Sequence, residues 1–398
     1  MAKVEYAVGL DAGSHWTRCL VGALERSQLR LIGAGQALSG GWLKGRIADP
    51  QAVTASIAAA VSEAEKSAGV AIGSAVAGMG GASVEGLNNR GIYEMGRPRE
   101  IVYADMRYAV EQALKVHMPA DRMILQVAPQ DFLVDGRTEY WNPEGAWGSR
   151  LESFVHLITA SAQEHHALVT ALNQAGLEVE ETILESYAAA YAAVRPEERA
   201  GGVVVVDVGA HSTEVAVYYG EALLAAASLP ICGDHFTRDA AQRLCLNFED
   251  AERLKLQYGC AVTGLAADNS YIELPSPAGR PLREALRREL SEVLEARAAE
   301  LFLYVRQQIV RAGLEQGSLS QAVLAGAGAL LSGMCDMAER VLYCQARNGL
   351  PYGIKDWPEE LDNPAWTTAA GLMMYSARLK MDSDGGHEKL GFWSRLFG

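Results

Sequence analysis

The chain has 398 residues, of which 49% are hydrophobic and 21% are charged, and this balance excludes a largely disordered protein. Its 49 acidic and 35 basic residues give a formal net charge of −14, which argues against nucleic-acid binding because phosphate contacts need clustered Lys and Arg. The six cysteines form no Cys-x-x-Cys pair, and the sequence contains neither a signal peptide nor a run of about 20 apolar residues. We therefore expect a cytoplasmic protein with reduced thiols and two to four domains.

One pattern, Asp-x-Gly-small-His-x-Thr, occurs at residues 11–17 and again at 207–213. Apolar segments flank both copies, which predicts two strands joined by a tight turn. Glycine in such a turn lets backbone N–H groups approach an anion closely. The aspartate of each turn would repel a bare phosphate, so we expect Asp11 and Asp207 to hold Mg²⁺, directly or through water. Two copies predict two similar domains facing one ligand.

The inserted stretch between the copies is predicted to be a compact α/β segment, with a helix over 104–116 and a strand over 123–127. An Ala-rich helix over 184–194 follows it. Glu185, at the start of that helix, could cap the helix or face a water molecule near the phosphate, and both interpretations stay open.

The second half contains two further helices and a third glycine segment. In the helix over 248–259, Glu252 and Lys255 lie one turn apart and form either an exposed ion pair or a ribose contact. A long helix over 282–311 has an apolar stripe. At 326–329, Gly-Ala-Gly-Ala follows an apolar strand and is predicted to lead into a helix, where small residues would let a flat ring lie against the backbone.

Taken together in this order, the hairpins and the glycine segment resemble the actin-like ATPase superfamily. Three later patterns resemble the FtsA family of bacterial cell-division proteins within it: Pro-Gln-x-Phe at 129–132, Asn-Pro-x-Gly-x-x-Gly-x-Arg-Leu-Glu at 142–152, and His-Leu-Ile-Thr at 156–159. The resemblance implies an α/β actin-like fold, in which two RNase H-like domains clasp a nucleotide. It also implies an FtsA-type inserted subdomain and a C-terminal amphipathic membrane helix.

The resemblance implies ATP and Mg²⁺ as ligands, with at most slow ATPase activity and Glu185 positioning a water molecule. The implied nucleotide-binding residues are Asp11, Gly13, Ser14, His15, Asp207, Gly209, Ala210, His211, Ser212, Gly233, Glu252, Lys255, Gly326, Ala327, Gly328 and Ala329. The sequence departs from the family pattern at Ala210-His211 and at Ala327, where glycines are usual. Each added methyl narrows the space for nucleotide.

The resemblance also implies a division into domains. Residues 1–81 and 156–193 would form the first core domain, and 82–155 the inserted subdomain. Residues 194–230 and 319–378 would form the second core domain, with 231–318 as its outer subdomain. In the family this outer subdomain binds the C-terminal peptide of the tubulin-like protein FtsZ, and Arg280, Arg283 and Arg297 would suit its acidic groups.

The C-terminal residues 379–398, which we call the tail, predict a membrane contact. Residues 379–389 are predicted to be a flexible linker, and 390–398 an amphipathic helix that folds at the membrane interface. The residues that would contact the membrane are Lys389, Leu390, Phe392, Trp393, Arg395, Leu396 and Phe397. One such tail should bind reversibly, and polymerisation of the chain would add avidity.

We therefore expect a peripheral protein on the inner face of the cytoplasmic membrane at the division site. It would bind ATP, polymerise with itself, tether FtsZ filaments and contact other division proteins. Two alternatives stay open: a sugar or metabolite kinase of the same superfamily, and the actin-like platform protein of type IV pili. Neither accounts for the tail.

Overall fold

A computed structural model describes residues 5–25, 28–266, 270–275 and 283–384. For residues 382–384 it describes the backbone alone. The strands are β1 (Glu5–Ala12), β2 (Trp16–Glu25), β3 (Gln28–Leu38), β4 (Trp42–Leu43), β5 (Arg46–Ile47), β6 (Ser74–Met79), β7 (Glu85–Glu100), β8 (Arg122–Val134), β9 (Thr138–Tyr140), β10 (Trp147–Ser161), β11 (Glu178–Leu184), β12 (Val203–Val208), β13 (Thr213–Tyr219), β14 (Ala222–Leu229), β15 (Tyr271–Leu274), β16 (Arg283–Leu286), β17 (Gln321–Ala325) and β18 (Gln345–Asn348). The helices are α1 (Pro50–Ala68), α2 (Tyr103–Ala113), α3 (Ala162–Gln174), α4 (Glu185–Ala193), α5 (Pro196–Ala200), α6 (Gly233–Leu244), α7 (Phe248–Tyr258), α8 (Arg287–Arg311), α9 (Met334–Leu342) and α10 (Thr367–Asp384).

Each half of the chain builds the same five-stranded sheet. The order is β3-β2-β1-β6-β11 in the first half and β14-β13-β12-β17-β18 in the second. In both, the first three strands pair antiparallel and the last two join parallel. The predicted hairpins are β1–β2 and β12–β13, so the sequence repeat corresponds to a repeat of structure. The predicted α/β actin-like fold with two related core domains is confirmed.

Two helices pack closely between the sheets. α10 lies against β1 and α4, and small residues set the distance: a Cβ on Gly371 would overlap the Ala188 carbonyl, and one on Gly9 would overlap the backbone of Met373. The central strand β12 begins Val-Val-Val-Val and is fully buried, as expected for a strand covered on both faces. These contacts position the two sheets so that the carboxyl-terminal ends of β1 and β12 lie on either side of a cleft.

The inserted segment, β7 to β10 with α2, has its own apolar core. Its β7 also pairs with β14 at Glu85 and Ala227, so the inserted strands continue the sheet of the second half. Buried His156 strengthens this join, because its Nε2 accepts a hydrogen bond from the Ala226 N–H at 2.9 Å. Burial lowers the pKa of His156 to about 4, so the ring stays neutral and able to accept.

Three predicted element boundaries are wrong. The helix expected over 104–116 ends at Ala113, and the strand expected over 123–127 extends over Arg122–Val134. The helix expected from residue 282 begins at Arg287, because residues 283–286 pair with β15 instead. Helical spacing of apolar residues continued through this short strand, so the periodicity alone could not separate the two elements.

The predicted linker over 379–389 is also wrong at its start, since α10 continues to Asp384. Leu379 packs beside Tyr375, and Lys380 bonds to Glu180, so tertiary contacts extend the helix up to the Gly-Gly sequence. The predicted membrane segment, 390–398, lies outside the described residues. None of the helices in the described ranges is long and apolar enough to cross a membrane. All six cysteines are free thiols, as expected.

Candidate functional site

A cavity of about 550 Å³ lies between the two halves, within the size range of ligand pockets. Fifteen of the predicted site residues line it: Asp11, Gly13, Ser14, His15, Glu185, Asp207, Gly209, Ala210, Ser212, Gly233, Glu252, Lys255, Gly326, Ala327 and Gly328. The other two lie beside it. Ala329 is buried under the glycine segment, and the His211 ring faces Gly45 and Asp234.

The two hairpins place opposite charges at the same register position. Asp11 on β1 pairs with Arg18 on β2, whereas Asp207 on β12 pairs with Glu214 on β13. In each turn only glycine fits without a steric clash. A Cβ on Gly13 would lie 2.7 Å from the Trp16 carbonyl oxygen, and a Cβ on Gly209 would lie 2.9 Å from the Ser212 carbonyl oxygen.

The two hairpin aspartates are buried and close enough to influence each other. Burial raises the pKa of Asp11 to about 7, the Arg18 charge opposes this, and Asp207 adds to it. Burial also raises the pKa of Asp207, although a hydrogen bond from Thr368 and the charge of Arg18 oppose the rise. A cation between these carboxylates would therefore be stabilised by both of them.

Two glutamates form a second acidic pair in the cleft. Glu185 makes no capping hydrogen bond at the start of α4, and its carboxylate instead lies against Gly78 and Gly80 in the cavity. Its pKa is raised well above the usual value by burial and then by Glu214. Glu214 accepts a hydrogen bond from the Gly81 N–H at 2.7 Å, and burial raises its pKa to about 7. Glu185 thus faces the cavity and does not cap the helix.

Arg18 supplies positive charge at the base of the cavity. The residue is 8% exposed, and its guanidinium stacks on Trp366 with 5.4 Å between the guanidinium carbon and the ring centroid. Its buried Nε has no hydrogen-bond partner in the described part of the chain. Arg18 lines the cavity, where its positive charge favours an anionic ligand.

The opposite end of the cavity is formed by α6, α7 and the glycine segment. Lys255 Nζ lies 2.7 Å from Glu252 and 2.9 Å from the Thr237 hydroxyl, and both charged side chains are largely covered. The interpretation as an exposed ion pair is therefore wrong. Gly326 and Gly328 lie against Val208, where a Cβ would overlap that residue. The expected helix, α9, begins only at Met334, after a 3₁₀ turn at Ala327–Leu330.

The residues of the cavity fit a nucleotide with a magnesium ion. Glycines bring backbone close to the cavity at both hairpins and at the late segment, and Arg18 offers a cation to phosphate. No three His, Cys, Asp or Glu side chains in the described ranges form a metal-binding group. A divalent cation here would take most ligands from phosphate and water, which is the usual coordination of Mg²⁺.

Three functional candidates were missed by the sequence reasoning: Arg18, Glu214 and Thr368. Arg18 and Glu214 each stand one residue after the threonine of a repeat copy, so extending the repeat by one residue could have found them. Thr368 could not be found this way, because α10 reaches Asp207 from 161 residues away.

The two described partner-binding candidates, Arg283 and Arg297, do not line the cleft. Arg283 is exposed on β16 and donates to the Leu244 carbonyl at 3.1 Å. Arg297 is paired with Asp239, at 2.6 and 3.0 Å, and with Glu300. Its charge is thus already compensated, which the sequence spacing did not indicate. Arg280 lies outside the described residues.

Two family models match the chain. The one described as "Cell division protein FtsA" matches residues 204–371, and the one described as "SHS2 domain inserted in FTSA" matches 81–159. The Cell division protein FtsA of Pseudomonas aeruginosa is 35% identical over 379 residues, covering 95% of this chain and 90% of that relative. The protein of the same name from Escherichia coli strain K12 is 30% identical over 390 residues, covering 96% and 93%.

Solved structures share the fold at low identity. The PilM–PilN type IV pilus biogenesis complex matches with a TM-score of 0.66 and 18% identity, covering 93% of this chain and 98% of that chain. MreB5 of Spiroplasma citri bound to ADP matches with a TM-score of 0.57 and 13% identity, covering 96% and 99%. At these identities the likeness concerns the fold alone.

Proposed function

Because this chain belongs to the FtsA family of bacterial cell-division proteins, we propose that it is an ATP-binding, polymerising tether. It would hold FtsZ filaments on the inner face of the cytoplasmic membrane and contact other division proteins there. The metabolite kinase and the pilus platform protein are the weaker alternatives, because both matching family models are those of cell-division proteins.

The observation that carries the ATP proposal is the cleft with its two Asp-x-Gly hairpins. Both hairpin turns, the late glycine segment and the Glu252–Lys255 pair line one cavity, as a ligand with phosphates at one end and a nucleoside at the other would require. MreB5 of Spiroplasma citri, which shares the fold, is bound to ADP in one solved structure and to AMPPNP in another.

We assign roles to residues by their position in the cleft. Asp11 and Asp207 would hold Mg²⁺ through water, and the ion when bound would neutralise phosphate charge. Arg18 would donate to a phosphate oxygen from the base of the cavity. Glu252 would accept from a ribose hydroxyl, and Glu185 would orient a water molecule. The raised pKa of Glu185 suits slow turnover, since a protonated carboxyl is a poor base.

The outer part of the second half is the proposed site for the acidic FtsZ peptide. Exposed Arg283 is the better placed of the two described arginines, because Arg297 is engaged with Asp239 and Glu300. We keep Arg280 in the proposed site on the sequence alone. The domain division given above is proposed with 231–318 as this outer subdomain and 82–155 as the inserted one.

The membrane proposal rests on the sequence of 390–398. Because α10 continues to Asp384, only residues 385–389 separate it from this segment. Fully extended, they would reach about 18 Å. The body of the protein should therefore lie closer to the bilayer than a linker beginning at residue 379 would require.

Liposome co-sedimentation of the full chain tests the tether. Deletion of residues 390–398 should abolish sedimentation with anionic vesicles, and Trp393→Glu should weaken it strongly because a charge replaces an interfacial aromatic. Trp141→Glu, at a half-exposed tryptophan in the inserted segment, is the matched control. Unchanged sedimentation of the deletion variant would contradict the proposal.

A further inference from the structure

A short hairpin between β3 and α1 covers part of the cleft. It consists of β4 and β5, joined by a two-residue turn at Lys44 and Gly45, both with positive φ, as this tight turn type requires. We call residues 42–47 the strap. Its base lies on the first half, because β5 contacts α3, and Trp42 and Ile47 pack against the apolar core that includes α1.

The tip of the strap crosses to the second half. The Gly45 N–H donates to His211 Nδ1 at 3.2 Å, and His211 lies in the turn of the second hairpin, 166 residues away. Within the described ranges this is the hydrogen bond that joins the strap to the second half. The strap therefore spans the cleft beside the turn that would hold phosphate.

The orientation of His211 is set from its other side. Since Nδ1 accepts, the ring proton is on Nε2, which faces Asp234 Oδ2 at 3.4 Å. Burial raises the pKa of Asp234, but the hydrogen bond from His211 and nearby cations outweigh it, and the pKa lies below its usual value. An ionised Asp234 at the start of α6 thus holds the tautomer that accepts from Gly45.

The strap also faces the ligand cavity. Trp42, Gly45, Arg46 and Ile47 line it, and the buried indole N–H of Trp42 has no partner among the described residues. Arg46 is held on the first half by Glu164 at 3.0 Å. The base of the strap is anchored by packing and an ion pair, whereas the tip is held by one neutral hydrogen bond.

We propose that the strap closes over the phosphate end of the cleft and that His211 is its latch, a positioning residue that sets how fast nucleotide enters and leaves. The inference rests on the proposed nucleotide site. It assigns His211 a role different from the direct nucleotide contact expected from the sequence.

Stopped-flow kinetics with a fluorescent N-methylanthraniloyl ATP and Mg²⁺ test the latch. Loss of one neutral hydrogen bond shifts an opening equilibrium by about two- to tenfold. In His211→Ala, association and dissociation rates should both rise by that factor, with the dissociation constant changing less than about twofold. His211→Asn keeps an acceptor and should restore both rates towards the wild-type values.

The matched control is His117→Ala, an exposed histidine of the inserted segment, which should leave both rates unchanged. A rise in the dissociation rate alone, with weaker affinity, would indicate that His211 contacts the nucleotide directly and would overturn the latch. Unchanged rates in His211→Ala would overturn it as well.

A disulfide provides a second test. A Cβ on Gly45 would lie 3.8 Å from that of His211, within the range that a disulfide needs. We expect Gly45→Cys with His211→Cys, in a Cys245→Ser background that removes the exposed thiol, to cross-link on oxidation. The oxidised protein should release bound nucleotide at least about tenfold more slowly than the reduced protein.

The single-cysteine variants control for strain at Gly45, whose φ is +74°. No cross-link, or a cross-link that leaves release unchanged, would contradict the strap. If the wild-type chain binds no nucleotide, the proposed function fails. Formation of the cross-link is then still measured by mass, and its absence would also overturn the closed strap.

Discussion

The first and second hairpins share a backbone and differ in charge. Both carry Asp-x-Gly-small-His-x-Thr, and both pair the aspartate with the residue that follows the threonine. That residue is Arg18 in the first hairpin and Glu214 in the second. The sequence repeat thus gives the two walls of the cleft the same backbone shape, whereas their charges differ: Arg18 lies on one wall and Glu214 on the other.

The asymmetry extends to the parallel edge strands. Strand β11 is followed directly by Glu185, which enters the cavity, whereas β18 is followed by Gly349, which packs against Val323. The histidines of the repeat differ too, since His15 lines the cavity and His211 faces the strap. The first half therefore supplies Arg18 and Glu185, and the second supplies Glu214 and the proposed latch, His211.

The largest expected effect is on turnover. Glu185→Gln should lower single-turnover ATP hydrolysis by about 100-fold, because the amide cannot accept a proton from water. Nucleotide affinity should change little, since Glu185 would contact water rather than phosphate. Rapid-quench measurement checks the rate, and an equal rate in the variant would remove Glu185 from the mechanism.

The charge difference between the hairpins predicts opposite responses. Arg18→Gln should weaken ATP binding by about ten- to 100-fold, the range expected for a hydrogen bond to a charged group. Glu214→Gln should leave affinity within about threefold or strengthen it, because it removes negative charge. Calorimetric titration of both variants checks this, with circular dichroism to confirm folding. Equal losses of ATP affinity in the two variants would mean that both charged side chains maintain the structure of the cleft and that neither acts on the nucleotide directly.

The packing of the two hairpins differs at the position two residues before the aspartate. Gly9 on β1 lies against α10, whereas its counterpart in β12 is Val205. Gly9→Ala should destabilise the protein by about 1–3 kcal/mol through overpacking, as measured by urea unfolding. A stability loss below about 0.5 kcal/mol would show that α10 can shift away from β1 at little cost.

A smaller effect is expected from pH on the free energy of unfolding. The pKa of Asp11 in the folded chain is raised from 3.8 to about 7, so the folded protein binds more protons than the unfolded one. The contribution of Asp11 to stability is then present at acidic pH and lost as pH rises through about 7.

Magnesium binding should respond in the opposite direction. Because a cation displaces the proton, Mg²⁺-dependent ATP affinity should rise between pH 6 and pH 8, by at most about tenfold per pH unit. Asp11→Asn should flatten this profile in calorimetric titrations. A profile that keeps its slope in the variant would assign the proton to another group.

The sequence predicted the hairpins and the cleft residues because the repeat places the same turn in both halves. Arg18 and Glu214 were missed because they lie on strands, where their role depends on what faces them across the cleft. The end of α10 was missed because the helix is extended by a contact of Lys380 with Glu180, 200 residues away. Local sequence patterns thus located the turns. Contacts between residues distant in sequence determined which charged side chains face the cleft and where α10 ends.

Calorimetric titration of ATP with Mg²⁺ into the full chain tests whether one nucleotide binds in an asymmetric cleft between two related halves. We predict saturable binding of one ATP per chain, weakened by Arg18→Gln and not by Glu214→Gln. Absence of saturable binding would show that the cleft does not bind ATP, and equal weakening by both substitutions would show that its two walls do not differ in charge towards the nucleotide.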